Sequence, residues 1–152
     1  MKYIGLLRGI NVGGNRKVEM KKLKTLFERL GFDNISTYLN SGNIIFESSE
    51  GQNELKNKIE NALKNEFGFE IPILIKTKYQ MQEIANAIPK HWLNNEEYRT
   101  DVAYLFPEID SDKILKELPI KKEYIDICYV TGAICWHLDR KNYNRSYLNK
   151  LI

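Results

Sequence analysis

Cysteine is scarce in this chain: Cys128 and Cys135 are the two thiols among 152 residues. That excludes a secreted disulfide framework and a four-thiolate zinc motif, and it suits a compartment where thiols stay reduced. Histidine is equally sparse, with only His91 and His137, so no metal centre is expected and no cofactor is predicted. The four prolines and nine glycines sit where elements begin or end, which excludes collagen-like and low-complexity chains. No apolar run approaches the roughly 20 residues that a membrane helix requires. The segment 1–7 is too short for the hydrophobic stretch of a secretory signal. A cytoplasmic protein with no membrane partner is the expectation.

A strong excess of one charge is also lacking, since the net charge is +3. Its distribution is uneven. Residues 1–40 carry eight Lys/Arg against three Asp/Glu, and residues 119–152 six against three, while the stretch between them is acidic. Solvated surface lysines explain this better than a nucleic-acid stripe does, so nucleic acid is a possible but not a favoured partner.

What is present is a length that supports a core: at this size folding removes roughly 68–70% of the chain's surface from water. Tyr3, Ile4, Leu6 and Leu7 form an apolar strand. Met20, Leu23, Leu26, Phe27 and Leu30 recur at helical spacing up to Gly31. Residues 35–39 and 44–46 read as antiparallel strands across a turn at 40–43. Ser49 to Gln52 has capping-box spacing ahead of a helix carrying Leu55, Ile59, Ala62, Leu63 and Phe67, which Gly68 ends. Residues 71–75 supply a fourth strand, and Pro72 places it at a strand start or on an edge. Strand, helix, strand, strand, helix, strand is the split pattern of ferredoxin-like domains.

A second part begins at Thr77-Lys78-Tyr79-Gln80, another capping box, with a short helix up to Pro89. After it come an irregular stretch 90–100 with Trp92 against the core and a strand 102–106. Asp110 or Ser111 is expected to cap a short helix with Ile114, Leu115 and Leu118. A hairpin follows around Thr131-Gly132, and 144–152 reads as a terminal helix fragment. The fold class is thus α+β: a ferredoxin-like (βαββαβ) N-terminal subdomain over 1–76 and a second, smaller α+β subdomain with a β-hairpin over 77–152.

Two loops carry the candidate chemistry. Strand one runs into Arg8-Gly9-Ile10-Asn11-Val12-Gly13-Gly14-Asn15-Arg16-Lys17, which is neither a Walker A loop nor G-x-G-x-x-G. Glycine backbone N–H groups near a helix start, with basic side chains, favour phosphate or carboxylate. A tight turn needing positive φ explains the same glycines without function. The second loop, Asn40-Ser41-Gly42-Asn43, is by itself a hairpin turn. The right-handed crossover makes the first two strands parallel, so both loops open at one edge of the sheet. Arg8, Asn11, Gly13, Gly14, Arg16, Lys17, Asn40, Ser41 and Asn43 are the candidate ligand-binding residues. Ser41 has no histidine or acid near it in sequence to activate it as a nucleophile.

In the second hairpin, a two-residue turn pairs Cys128 with Cys135 and Asp126 with His137 on one face. A flat ladder offers no pocket, so neither a thiol nucleophile nor a zinc site is expected there, and the pair lies at a hydrogen-bonded position that disfavours a disulfide. His91 reads as a loop histidine packed on Trp92.

Leu6-Leu7-Arg8-Gly9-Ile10-Asn11-Val12-Gly13-Gly14, then Val18, Met20 and Leu23, Leu30-Gly31-Phe32, Thr37-Tyr38-Leu39 with Ser41-Gly42-Asn43, and Phe46 resemble the signature of the bacterial family catalogued as domain of unknown function 1697. The resemblance implies a two-part α+β fold and no established activity, substrate or cofactor. Members of that family usually continue into a C-terminal stretch with an Arg-Asn-Trp motif. This chain stops at Leu151-Ile152, which implies a truncated or shortened member lacking that tail.

Three functions are compatible with these residues. The favoured one is a binding module for an anionic small molecule, a nucleotide or sugar phosphate, at the glycine-rich loop. The alternatives are an enzyme acting on a phosphorylated or anionic substrate, with Arg8 and Lys17 as electrostatic stabilisers, and a nucleic-acid-binding or protein-interaction module. Nucleic-acid binding would want aromatics on the open sheet face, where the first strand has Tyr3 alone to offer.

Overall fold

A computed structural model describes residues 1–151. Its contacts divide the chain into two units, Met1–Met81 and Gln82–Ile152, both of mixed α and β structure. The division falls inside a helix that starts in the first unit and ends in the second.

The first unit follows the order β1 (Lys2–Leu7), α1 (Met20–Arg29), β2 (Asp33–Tyr38), β3 (Asn43–Glu47), α2 (Gln52–Phe67), β4 (Ile73–Thr77), and the start of α3 (Lys78–Ala87). The sheet order is β2-β3-β1-β4, and every pairing is antiparallel. Because β1 and β2 both run antiparallel to β3, they run parallel to each other. The loop after β1 and the turn after β2 therefore leave the sheet at the same edge.

Alternation decides which side of the sheet is core. Tyr3, Gly5 and Leu7 are buried, whereas Lys2, Ile4 and Leu6 turn to the other face and keep partial exposure. β1 is thus a half-buried strand, with one face in the core and the other partly exposed. Their cross-strand partners Phe46, Ile44, Ile75 and Ile73 share the buried side. From α1 come Leu23, Leu26 and Phe27, and from α2 Leu55, Ile59 and Leu63. Phe46 is the aromatic hub: Phe32 lies 4.9 Å away, Phe27 5.1 Å edge-on and Tyr3 5.7 Å. Each such fully buried apolar side chain contributes about 1.5–3 kcal/mol by leaving water.

Helix ends reveal one correct and one incorrect expectation. At α3 the capping box forms in both directions: Gln80 N–H donates to Thr77 Oγ1 at 3.1 Å, and Thr77 N–H to Gln80 Oε1 at 2.9 Å. At α2 it does not form. Gly51 is the N-cap without any side-chain cap bond, and Gln52 instead donates to the Ile75 carbonyl and to Gln80 Oε1. Gln52 is drawn to the middle of β4, where the carbonyl of the buried Ile75 takes its side-chain donor.

The second unit contains β5 (Tyr98–Tyr104), α4 (Ile114–Glu117), β6 (Asp126–Val130) and β7 (Ala133–Asp139), with sheet order β5-β7-β6. β5 begins earlier than its hydrophobic run, because the polar residues Tyr98 to Thr100 continue the ladder with β7. The hairpin has the expected register, with Cys128 opposite Cys135 and Asp126 opposite His137. Ile125, Leu138 and Leu148 form its buried cluster. Asp110 caps no helix. Its carboxylate accepts from the Tyr129 hydroxyl and the Gly132 N–H, both at 2.8 Å, which pins the hairpin turn. The terminal helix fragment expected over 144–152 is one 3-10 turn at Leu148–Lys150, and residue 152 lies outside the described residues.

Candidate functional site

The loop after β1 closes on itself as a miniature hairpin. Asn15 N–H donates to the Val12 carbonyl and Asn11 N–H to the Arg16 carbonyl, both at 2.9 Å. Gly13 and Gly14 between them have φ of +57° and +77°, the two positive values of a type I′ turn, which glycine adopts without strain. Asn11 and Arg16 also take positive φ, at +54° each.

Asn11 joins this loop to the second one. Its side chain forms a closed pair with Val18: Oδ1 accepts the Val18 N–H at 2.9 Å and Nδ2 donates to the Val18 carbonyl at 3.0 Å. Nδ2 donates again to the Asn40 carbonyl at 2.6 Å. A second strap lies beneath, where Leu7 N–H donates to the Gly42 carbonyl at 3.0 Å. Two turns 29 residues apart are therefore one rim.

The same bonds redefine which candidates face outward. Asn11 has both amide hydrogens committed internally and acts as a staple. Arg16 donates through Nε to the Gly9 carbonyl and through Nη2 to the Glu70 carbonyl, both at 2.6 Å, with its guanidinium over the Phe69 ring. Asn43 donates to the Tyr38 carbonyl and to Ser41 Oγ. Asn11, Arg16, Ser41 and Asn43 therefore have side-chain bonds within the rim, and of these four Asn11 also borders the depression between the turns. Arg8 is exposed at the end of β1, with its N–H on the Pro72 carbonyl.

What the rim presents is a shallow depression of about 350 Å³ lined by Asn11, Gly14, Lys17, Val18, Glu19 and Asn40. Glu19 is the N-cap of α1 without a side-chain cap bond, and no acid stands in the first turn. The backbone donors at that helix start add partial positive charge to the Lys17 ammonium. Val18 and Glu19 are the lining residues that the sequence pattern did not single out. Their place immediately ahead of Met20, where the amphipathic run begins, was the available signal.

Chemistry elsewhere is limited. Among the described residues no group of three His, Cys, Asp or Glu could hold a metal ion, and no helix is long and apolar enough to cross a membrane. His137 is stacked between Trp92 and Tyr98, at 5.6 and 5.3 Å, with Nδ1 3.8 Å from Asp126. Trp92 thus packs on His137, and His91 is exposed. Tyr3 lies on the buried side of β1 with its hydroxyl on the Glu50 carbonyl, so β1 displays no aromatic on the open face.

Both cysteines are free thiols. Burial, and then the neighbouring Cys128 thiol, push the Cys135 thiol from an ordinary value of 9.0 up to about 11. Folding therefore holds a proton that the unfolded chain releases, so this contribution to stability is intact below pH 9 and is lost as pH rises toward about 11. Thiol labelling at pH 8 is expected to modify Cys128 alone in the folded protein and both residues in urea. Equal labelling of both in the folded state would contradict the burial of Cys135.

No curated protein matches the chain. Among solved structures, the conserved bacterial protein SP0830 from Streptococcus pneumoniae is similar, with a TM-score of 0.83 and 23% identity over 98% of this chain and 83% of that one. At that identity the likeness shows a shared fold alone. The family described as "Protein of unknown function (DUF1697)" matches residues 1–136, and the chain belongs to that family.

Proposed function

We propose that the protein binds an anionic small molecule at the rim of its first unit, with a sugar phosphate or nucleotide as the ligand class. The observation that carries this reading is the Asn11 staple, which fixes two turns from distant parts of the chain around one depression. Lys17, the Gly13-Gly14 turn and the uncapped start of α1 supply positive potential on one side of it. Arg8 adds a further cation at the end of β1. Glu19 and Asn40 stand on the same lining, and a carboxylate and an amide oxygen accept hydrogen bonds from hydroxyl groups. A ligand with a phosphate at one end and sugar hydroxyls beside it matches both chemistries, which a bare inorganic anion does not. Free thiols are consistent with a cytoplasmic setting.

Calorimetric titration with a hexose phosphate, ADP and inorganic phosphate tests this. The wild type is expected to bind the first two in preference to inorganic phosphate, and Lys17→Gln to weaken binding roughly tenfold, the effect of one charge-assisted hydrogen bond. Absence of saturable heat for all three at millimolar concentration would overturn the reading.

A further inference from the structure

The two turns of the rim also carry apolar side chains that the fold leaves uncovered. Val12 is 61% exposed, Tyr38 68% and Leu39 63%. Val12 follows Asn11 and Leu39 precedes Asn40, so each lies one residue from the bond that joins the loops, Asn11 Nδ2 to the Asn40 carbonyl at 2.6 Å. Tyr38 ends β2 next to Leu39. Single apolar residues scattered over a surface are ordinary, whereas three from two segments gathered at one rim call for an explanation.

Leu39 sharpens the case. Its φ is +61°, a left-handed conformation that glycine or asparagine takes readily and a bulky side chain does not. A leucine there strains the backbone, and its exposed side chain recovers nothing by burial within the fold. An outlier of that kind points to a use outside the fold.

The charge around the three side chains decides which partner fits. Arg8, Arg16 and Lys17 are exposed in the same loop as Val12, and the side-chain bonds of Arg16 go to carbonyl oxygens, not to a carboxylate. Glu19, which lines the depression, is answered by Lys22 at 3.9 Å. A second copy docked tip to tip would bring like charges together. A nucleic acid has no use for aliphatic side chains among the cations. The boundary of an anionic bilayer takes both, with apolar side chains below the phosphates and cations level with them. That no helix is long and apolar enough to cross a membrane bears on spanning a bilayer, not on resting against one.

We propose that Val12, Tyr38 and Leu39 are the tip by which the first unit touches an anionic lipid surface, with Arg16 and Lys17 meeting the headgroup phosphates. None of the three apolar residues lines the depression, so this contact does not depend on the small-molecule reading above.

Co-sedimentation with vesicles of phosphatidylcholine, with and without phosphatidylglycerol, tests the contact. The wild type is expected to sediment with the mixed vesicles at low ionic strength, to be released by added salt, and to stay in solution with phosphatidylcholine alone. Leu39→Asn removes the apolar group and relieves the backbone strain together. Its urea midpoint is expected at or above that of the wild type, while its partition onto mixed vesicles falls roughly tenfold or more. Lys17→Gln is expected to lower partition about fivefold, the worth of one lysine at such a surface. Leu93→Asn, which removes a leucine 48% exposed in the second unit, should leave it unchanged. Failure of a hexose phosphate to bind would leave these outcomes as they are, which separates the lipid contact from the rim ligand. Unchanged partition of Leu39→Asn, equal losses in Leu39→Asn and Leu93→Asn, or no preference for the mixed vesicles would overturn the proposal. So would a wild-type dimer on size exclusion that Leu39→Asn abolishes, because the tip would then belong to a second copy.

Discussion

Gly42→Ala is expected to destabilise the first unit by about 2–5 kcal/mol, combining left-handed backbone strain of roughly 1–2 kcal/mol with overpacking of roughly 1–3. Gly42 has φ of +88°, and a Cβ built on it would sit 2.7 Å from Leu7 Cβ and 2.8 Å from Ile10 Cδ1. Both neighbours are fixed: Leu7 ends a central strand, and Ile10 is buried beneath the first loop. Relief by backbone movement would pull the Gly42 carbonyl from the Leu7 N–H, so strain and the lost strap are alternatives, not independent terms. Gly14→Ala is the comparison. It also has positive φ, but nothing lies within 4 Å of its added Cβ, so about 1 kcal/mol is expected from backbone strain alone. Urea unfolding of the two variants should differ clearly in midpoint. Equal small losses would mean that the second turn does not pack against Leu7 and Ile10.

Asn11→Ala is expected to cost about 2–3 kcal/mol, because it strands the Val18 N–H and carbonyl, on a residue only 2% exposed, without partners. The third bond, to the exposed Asn40 carbonyl, adds little to stability because water replaces it. Its loss has another consequence: the second turn is no longer held against the first. Asn11→Asp separates the two effects. It keeps an acceptor for the Val18 N–H but sets a carboxylate against the Val18 and Asn40 carbonyls, where the amide donated. It should therefore destabilise as much as alanine and also open the rim. Unfolding midpoints within about 0.5 kcal/mol of wild type for both, the range of an ordinary surface substitution, would show that the staple carries nothing.

Those two residues also mark the limit of what could be read from sequence. The juxtaposition of the loops was legible, since it follows from strand order and handedness. The hairpin register at Cys128–Cys135 was legible because a two-residue Thr131-Gly132 turn leaves one way to pair the strands. The Thr77–Gln80 capping box was legible because both partners lie within one turn of helix. The bonding of Asn11, Arg16 and Asn43 was not. Asn11 reaches Asn40, 29 residues on, and Arg16 reaches Glu70, 54 residues on. A polar side chain in a glycine-rich loop reads the same in sequence whether it faces a ligand or a carbonyl. Asp110 illustrates the same ambiguity, with helix-cap composition and a distant hairpin as its actual partner. Early β5 was missed because Tyr98, Arg99 and Thr100 pair by backbone in a stretch with no apolar alternation.

The central claim is that the rim takes a phosphorylated guest, and a backbone-amide NMR titration of the wild type with a hexose phosphate addresses it most directly. Saturable shifts confined to Gly13, Gly14, Lys17, Val18 and Glu19 are the predicted result, and they should vanish in Asn11→Asp while the resonances of Gln82 onward stay in place. Unmoved rim amides at a saturating excess of ligand, or movement only at residues outside the first unit, would contradict it.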